Sequence, residues 1–411
     1  MATDAEFAPP QPWPALTFEE RPWEIEDGHV SRTQRRKHAG PYEAAVVPRI
    51  ATLDPPLPAS LLAESEEAAR EAARFDEHVG ATFGTSAAGL SEIGPMSAIL
   101  LRTESASSSQ IENLTAGARQ IALAELGEHA NVNARLVRGN VHAMEAALRL
   151  SESIDQGSIL AMHLALLGDS QPQRAGRWRD QQVWIGGSDA GPHRADFVPP
   201  HHEHVESAIA DLVDFANRDD LPAVAQVAIT HAQFETIHPF SDGNGRTGRA
   251  LVHAMFAHRG LSKRITVPVS SGLLVNTGSY FEALGAYRRG DVAPIVERFN
   301  AATIFAVGAG RRLVDELKHV RVSFNDRVKA RSDASAWNVA DLLIAQPVIN
   351  SAYIQSSLGI SDVAALRAIE TLEKGGVLVQ PASAKRNRVW QSPEILSVLD
   401  DFAERIRRVR G

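Results

Sequence analysis

His238-Pro-Phe-Ser-Asp-Gly-Asn-Gly-Arg-Thr-Gly-Arg249 holds an imidazole, a carboxylate, an amide, three glycines and two arginines within a single turn of chain. Before it, Val224, Val227, Ala228, His231 and Phe234 recur at helical spacing, so a helix is expected to run into His238. Pro239 has no N–H and biases its predecessor away from the α region, which places the end of that helix at His238. Leu251, Val252, Met255 and Phe256 then resume the helical period. The glycine-rich turn therefore joins two helices and opens the second.

A helix start preceded by glycines attracts anions, because its first N–H groups lack acceptors and the dipole is positive there. Gly243 and Gly245 allow a close backbone approach, and Asn244 is expected to take the left-handed conformation of an N–H nest. Arg246 and Arg249, three apart, reach the same anion with guanidinium forks suited to phosphate oxygens. Asp242 fits as a ligand to Mg²⁺, which is commonly held by one or two carboxylates together with substrate phosphates. His238 borders that site with an imidazole expected to titrate near neutrality, as suits a general base. The local chemistry is that of a magnesium–nucleotide site with a base beside it.

The segment resembles the signature of the Fic family, His-x-Phe-x-Asp/Glu-Gly-Asn-Gly-Arg-x-x-Arg. His238, Phe240, Asp242, Gly243, Asn244, Gly245, Arg246 and Arg249 match every fixed position. The resemblance implies transfer of AMP from ATP to a protein hydroxyl. His238 would be the base, Asp242 the Mg²⁺ ligand, and Gly243, Asn244, Gly245, Arg246 and Arg249 the phosphate contacts.

The length of 411 residues suggests two or three domains with ample core. A net charge of −8 describes an ordinary acidic protein and not a general polyanion binder. The absence of cysteine excludes disulfide and thiol chemistry and fits a reducing compartment. No eighteen-residue apolar run and no secretory leader are seen, so a cytoplasmic protein without membrane contact is expected.

Residues 1–60 read as a proline-rich arm, with Pro pairs at 9–10 and 55–56 and a basic run of Arg32, Arg35, Arg36 and Lys37. Tyr42, Val46, Val47, Ile50 and Leu53 suggest a short strand or wrap. Residues 61–125 form a helical region, beginning with a strongly helix-forming Ala/Glu-rich stretch. Within it Ser107, Ser108 and Ser109 with Glu112 read first as capping chemistry, Ser109 and Glu112 having the spacing of a capping box. A second reading follows from the family. Ser108-x-x-x-Glu112-Asn113 resembles its inhibitory motif, Ser/Thr-x-x-x-Glu-Gly/Asn, which implies that Glu112 pairs with Arg249 and displaces the γ-phosphate.

Residues 126–330 are expected to be the catalytic core. Leu136, Val137, Val141, Met144, Ala147 and Leu148 mark one helix face, while Asn140 and His163 read as buried hydrogen-bonding residues. Val183-Trp184-Ile185 and Phe197-Val198 flank a Gly/Pro-rich turn, a hairpin pattern. In the resembled family this place carries the flap that docks the target segment, and the likeness extends to its Gly-x-x-Arg and Phe-Val-Pro-Pro flavour. His201, His202 and His204 read as a solvated helix start in preference to a metal site. Tyr280 and Phe281 are candidates both for an adenine edge and for core. Residues 293–330 read as a long amphipathic helix carrying Ile295, Phe299, Ile304, Phe305, Leu313, Leu317 and Val320.

After a linker at 331–335, residues 335–411 show three helices and a hairpin, the middle helix capped by Ser351 and the third carrying Val363, Leu366, Ile369 and Leu372 on one face. That order resembles a winged helix-turn-helix. Asp362, Arg367, Glu370, Glu373 and Lys374 make its third helix a poorly basic DNA reader, although Lys385, Arg386 and Arg388 could touch phosphate. Protein contact or dimerisation is an equal reading.

The expected fold is thus mainly α, a Fic helical core with a β-hairpin flap and a C-terminal winged helix. The expected function is a self-inhibited protein adenylyltransferase using ATP and Mg²⁺ on a Tyr, Ser or Thr hydroxyl of a target protein or of itself. Removal of AMP, transfer of a phosphate or phosphocholine, and a nucleotide-sensing DNA-binding regulator are the alternatives.

Overall fold

The computed structural model describes residues 12–23, 36–82, 93–187, 190–381 and 388–410. The Pro9–Pro10 pair, Arg32, Arg35, Lys385 and Arg386 lie outside them. Two short antiparallel strands, β1 (Thr17–Arg21) and β2 (Tyr42–Val46), precede the helices and pair Thr17 with Val46 through to Arg21 with Tyr42. There follow α1 (Ala59–Thr82), α2 (Ile93–Ile111), α3 (Ala118–Glu125), α4 (Val132–Arg149), α5 (Gln156–Leu167) and α6 (Val205–Ala216). Next come α7 (Ala223–Ile237), α8 (Asn244–His258), α9 (Val269–Val275), α10 (Thr277–Arg288) and α11 (Ala293–Arg327). The C-terminal part is α12 (Ser335–Ala345), β3 (Val348–Ile349), α13 (Ser351–Leu358), α14 (Asp362–Lys374), β4 (Trp390–Gln391) and α15 (Pro393–Arg410). The molecule is mainly α.

The core is built around α7, whose fifteen residues are all buried. It packs against α1, α6, α8 and α11. A helix enclosed on every side must satisfy its polar groups internally. Gln226 donates to the carbonyls of Phe215, Ala216 and Arg218, and Gln233 donates to Pro48 O at 3.0 Å while accepting from the Tyr287 hydroxyl at 2.9 Å. Thr236 Oγ1 donates to Ala232 O at 2.7 Å. The long α11 buries Ile295, Phe299, Leu313 and Leu317 as expected, but leaves Ile304 exposed.

Two readings of the sequence are corrected. Among its described residues the segment 183–198 pairs antiparallel through one bridge, Ile185 with Phe197, where two longer strands were expected. Pro192, Pro199 and Pro200 lack N–H donors, and the outer side is met instead by Ala45 of β2, whose N–H donates to Val198 O at 3.1 Å. In the C-terminal part α13 is capped by Asn350, which accepts from Tyr353 N at 2.8 Å, and not by Ser351. Gly359 ends it in the left-handed conformation, as read. On α14 Ile369 and Leu372 are buried, whereas Val363 is exposed. β3 pairs with β4, and Val379 bridges Gln391, so helix, strand, two helices and two short return strands follow one another.

Candidate functional site

α7 stops at Ile237, and His238 takes the left-handed conformation (φ 52°, ψ 61°), its N–H bonded to Phe234 O at 2.9 Å. A non-glycine residue is seldom found there. The cause is Pro239, which forbids a further α residue, so the chain reverses at the histidine itself. Phe240 is buried against His163, the rings stacked 3.7 Å apart. Gly243 (φ 76°) then caps α8, and Thr247 N bonds back to Gly243 O. The left-handed residue of the turn is Gly243, not Asn244 as expected. A Cβ at Gly243 would also meet Leu166 Cδ2 at 2.8 Å.

Asn244 closes the turn. Its Oδ1 accepts from Phe240 N and its Nδ2 donates to Phe240 O, both at 2.8 Å. Its side chain fixes the loop, and only its backbone is directed to the helix mouth. Asp242 holds its carboxylate at the rim, partly exposed, accepting from Gly243 N and Gln171 Nε2 at 2.6 Å each, with Arg246 Nη2 at 3.4 Å. His163 fixes the same residue from behind: Gly176 N–H donates to Nδ1 at 3.0 Å, so Nε2–H donates to Asp242 O at 3.0 Å. Burial lowers the His163 pKa to about 4. Asn140 and His163 are both buried hydrogen-bonding residues.

His238 is half-buried, and its Nδ1 is buried without a hydrogen-bond partner. Burial first, and then the nearby charges of Arg179 and Arg288, lower its pKa to about 3. The expectation of titration near neutrality is therefore corrected: the imidazole is neutral at physiological pH, and its surroundings disfavour the protonated form.

Glu112 follows the last residue of α2, and its two carboxylate oxygens take both arginines of α8. Arg249 Nη2 donates to Oε1 at 2.6 Å, and Arg246 Nε donates to Oε2 at 2.9 Å. Arg249 also donates to Ser108 Oγ at 2.8 Å and to Ser108 O at 3.0 Å. Arg249 is buried, and although burial opposes its charge, Glu112, with Tyr280 and Glu235, more than restores it, leaving the pKa above the usual arginine value. Gly245 lies directly beneath this pair; a Cβ there would run into the Glu112 carboxylate and sit 2.8 Å from Arg249 Nη1.

The capping-box reading of Ser109 and Glu112 is overturned, since they stand at the end of a nineteen-residue helix. Asn113 terminates it at φ 63°. Asn and Gly are the residues that tolerate this conformation at a helix C-terminus.

Tyr280 is almost fully buried, with its hydroxyl 2.8 Å from His231 Nε2. Its ring offers no face to a nucleotide here, whereas Phe281 beside it is 55% exposed. Val183, Trp184 and Ile185 are half-buried, and Trp184 meets Trp23 edge-on at 5.4 Å. Among the described residues no group of three or more His, Cys, Asp or Glu could hold a metal ion. His204 instead contacts Glu19 and Arg21 of β1, both at 3.1 Å.

Several residues escaped the sequence reading. Gln171 on Asp242 has no sequence signal. Glu104, wholly buried, accepts from Ser270 N at 2.9 Å and lies 2.7 Å from His253 Nε2. It did have one: Glu104, Ser108 and Glu112 are spaced by four and share a helix face, opposite His253, Arg249 and Arg246. Arg179 is the arginine of the Gly-x-x-Arg likeness, noted in the sequence without a role, and its guanidinium lies on backbone carbonyls.

Residues 153–256 match the profile of the Fic/DOC family. Similar proteins include the protein adenylyltransferase fic-1 of Caenorhabditis elegans, 33% identical over an alignment of 168 residues that covers 38% of this chain and 30% of that protein. The protein adenylyltransferase Fic of Nematostella vectensis is 31% identical over 152 residues, 36% of this chain and 32% of that one. The chain thus spans about a third of the length of these relatives. Among solved structures, a Fic family protein from Desulfovibrio desulfuricans G20 aligns over 80% of this chain and 95% of that one (20% identity, TM-score 0.49). Fic-1 from C. elegans aligns over 62% and 73% (22% identity, TM-score 0.46).

Proposed function

We propose that this chain, which carries a Fic/DOC domain at residues 153–256, transfers AMP from ATP to a hydroxyl side chain of a protein and is held silent by Glu112. The observation that carries the reading is the convergence on one helix mouth of a neutral imidazole, a partly exposed carboxylate and two arginines tied to an intrachain carboxylate. Such a carboxylate occupies the place of an anionic group, and the arginine pair is arranged for one.

His238 accepts the target hydroxyl proton. The first-turn amides of α8, which have no intrahelical acceptors, together with Arg246 face the phosphates where charge develops. Arg249 orients the γ-phosphate once Glu112 leaves. Asp242 fits a magnesium ion: one rim carboxylate beside a polyphosphate is the usual protein share of such a site, and the ion would supply neutralisation of the phosphate charge. Val183, Trp184 and Ile185 lie at the edge where a target segment would pair. Asn244 serves by shaping the loop. We further propose an N-terminal arm over 1–60, a helical region with the inhibitory helix over 61–125, a catalytic core over 126–330 and a winged helix over 335–411. For the last, contact with protein is favoured over DNA, because α14 mixes both charge signs and Lys374 is tied to Glu370 at 2.7 Å.

The test is label transfer from α-³²P-ATP with Mg²⁺, comparing wild type, Glu112→Gly and Glu112→Gly/His238→Ala. Wild type is expected to be nearly silent, Glu112→Gly to label itself or a lysate protein, and the double variant to be dead. Silence of all three, with ATP still bound by Glu112→Gly, overturns the transferase reading; release of AMP from a modified protein by wild type would replace it with AMP removal.

A further inference from the structure

Arg179 is a buried guanidinium with no acidic partner among the described residues. It donates to four backbone carbonyls instead. Nε reaches His238 O at 2.9 Å, Nη1 reaches Gln181 O at 3.1 Å, and Nη2 reaches Ile237 O at 3.4 Å and also Pro200 O. Its own N–H donates to Pro239 O at 3.0 Å. Burying an arginine without a counter-charge is costly, and the cost shows in a pKa lowered by burial to about 10. A side chain whose only role was to fill space would not need a charge.

The four carbonyls belong to three pieces of chain. Ile237 and His238 are the reversal after α7, where the histidine has the unfavourable left-handed backbone. Gln181 begins the strap that runs through Val183–Ile185, and Pro200 ends it after the Ile185–Phe197 bridge. Pro199 and Pro200 cannot donate to a sheet, so among the described residues the C-terminal end of the strap has no backbone N–H of its own at these two positions to hold it in place. Gln182 adds to the same knot, donating to Val183 O and Pro199 O at 2.9 Å each. Arg179 therefore spans both ends of the strap and the imidazole-bearing residue with one rigid fork.

We propose that Arg179 is a positioning residue that locks His238 and the 181–200 strap into a single register, so that a hydroxyl presented by the strap arrives over the imidazole. The lock touches neither the α8 helix mouth nor Glu112. It acts on the transfer step and not on nucleotide binding. The kinetic part of this proposal rests on the AMP-transfer reading; the mechanical part does not.

The experiment uses the full chain carrying Glu112→Gly as parent, with Arg179→Gln and Arg179→Lys added singly. At saturating ATP, Arg179→Gln is expected to slow label transfer on the order of 100-fold, the effect of a misplacement of about 1 Å in a reacting pair. The KM for ATP is expected to stay within about threefold, as for loss of a transition-state interaction. Arg179→Lys, keeping one charged donor, is expected to recover part of the rate. Hydrogen–deuterium exchange is expected to quicken together in 181–200 and in 237–240 while α11 is unchanged. An unaltered rate, an ATP KM that rises as the rate falls, or exchange that quickens in one segment alone overturns the proposal, and so does loss of ATP binding in both variants, which would mark a merely structural arginine. If the parent itself transfers nothing, the AMP-transfer reading fails, and the exchange measurement still decides the role of Arg179.

Discussion

At His163 the two ring nitrogens have different partners, and their roles follow from one of them. Gly176 N–H can only donate, so Nδ1 accepts and Nε2 carries the proton that holds Asp242 O. Protonation of Nδ1 would break the first bond and bury a charge against Phe240. The ring's pKa is therefore about 4 in the fold against the ordinary 6.5 of an unfolded chain. Between those values the unfolded state binds more protons, so this contribution is complete above pH 6.5 and is lost as pH falls toward 4. It is worth about 3 kcal/mol as an order of magnitude. Melting temperature measured across that window is expected to fall with acidification, and His163→Gln to flatten the slope by about one proton; equal slopes for the two proteins would remove His163 from the account. The sequence marked His163 as buried and hydrogen-bonded, because an isolated histidine in an apolar helix usually is. It could not show that the partner was the loop carrying Asp242, since that depends on α5 lying under the turn.

Two facing stripes hold α2 to α8. Glu104, Ser108 and Glu112 descend one helix by fours, and His253, Arg249 and Arg246 answer them on the other in reverse order. The helices are antiparallel along this seam, and each polar residue has its match. The sequence read the serines here as a helix start, because serine is a strong N-cap signal. Mid-helix serine and threonine can instead bond back one turn, as Thr103 does to Ile99 O at 2.8 Å and Ser105 to Leu101 O at 2.9 Å. The two patterns look alike in one dimension. By contrast the end of α7 and the start of α8 were legible, since Pro239 and Gly243 act through backbone rules that need no tertiary contact. The C-terminus of α2 depends on Asn113 at φ 63°. Asn113→Gly is expected to preserve silence, whereas Asn113→Ala should cost about 1 kcal/mol there and raise basal label transfer about fivefold, well short of Glu112→Gly. Transfer from Asn113→Ala indistinguishable from wild type would mean that the helix end does not set the Glu112 position.

Across the whole molecule, the same α2 is gripped by the C-terminal part. Arg102 makes a two-pronged pair with Glu125, and donates to Gln346 Oε1 at 2.9 Å and to Ala345 O at the end of α12. Gln346 Nε2 continues to Ala122 O at 2.7 Å, and α15 packs on α3, α9 and α11. Residues 335–410 are therefore fastened to the helix that leads into Glu112, a connection the sequence reading, which saw a linker and a separate appendage, had no means to supply. Arg102→Met leaves Glu125 without its partner, which costs about 3 kcal/mol for a largely buried pair. For a chain of 411 residues this is expected to lower Tm by about 3 °C, as read by scanning fluorimetry. Adding Glu125→Gln should restore part of it; no change in Tm on Arg102→Met would show the grip to be energetically idle.

Because the carboxylate over Gly245 and the two guanidinium groups that hold it belong to one polypeptide, their encounter has no concentration dependence. Dilution cannot separate them, and the brake proposed for Glu112 would not be titrated by changing how many copies a cell makes. A soluble competitor faces an opponent already tethered in place, at the high effective molarity of a short path through the fold. Separation of the pair then has to come from a rearrangement of α2 itself or from an anion abundant enough to outbid the carboxylate, and a few-fold rise in expression would leave the paired fraction as it was.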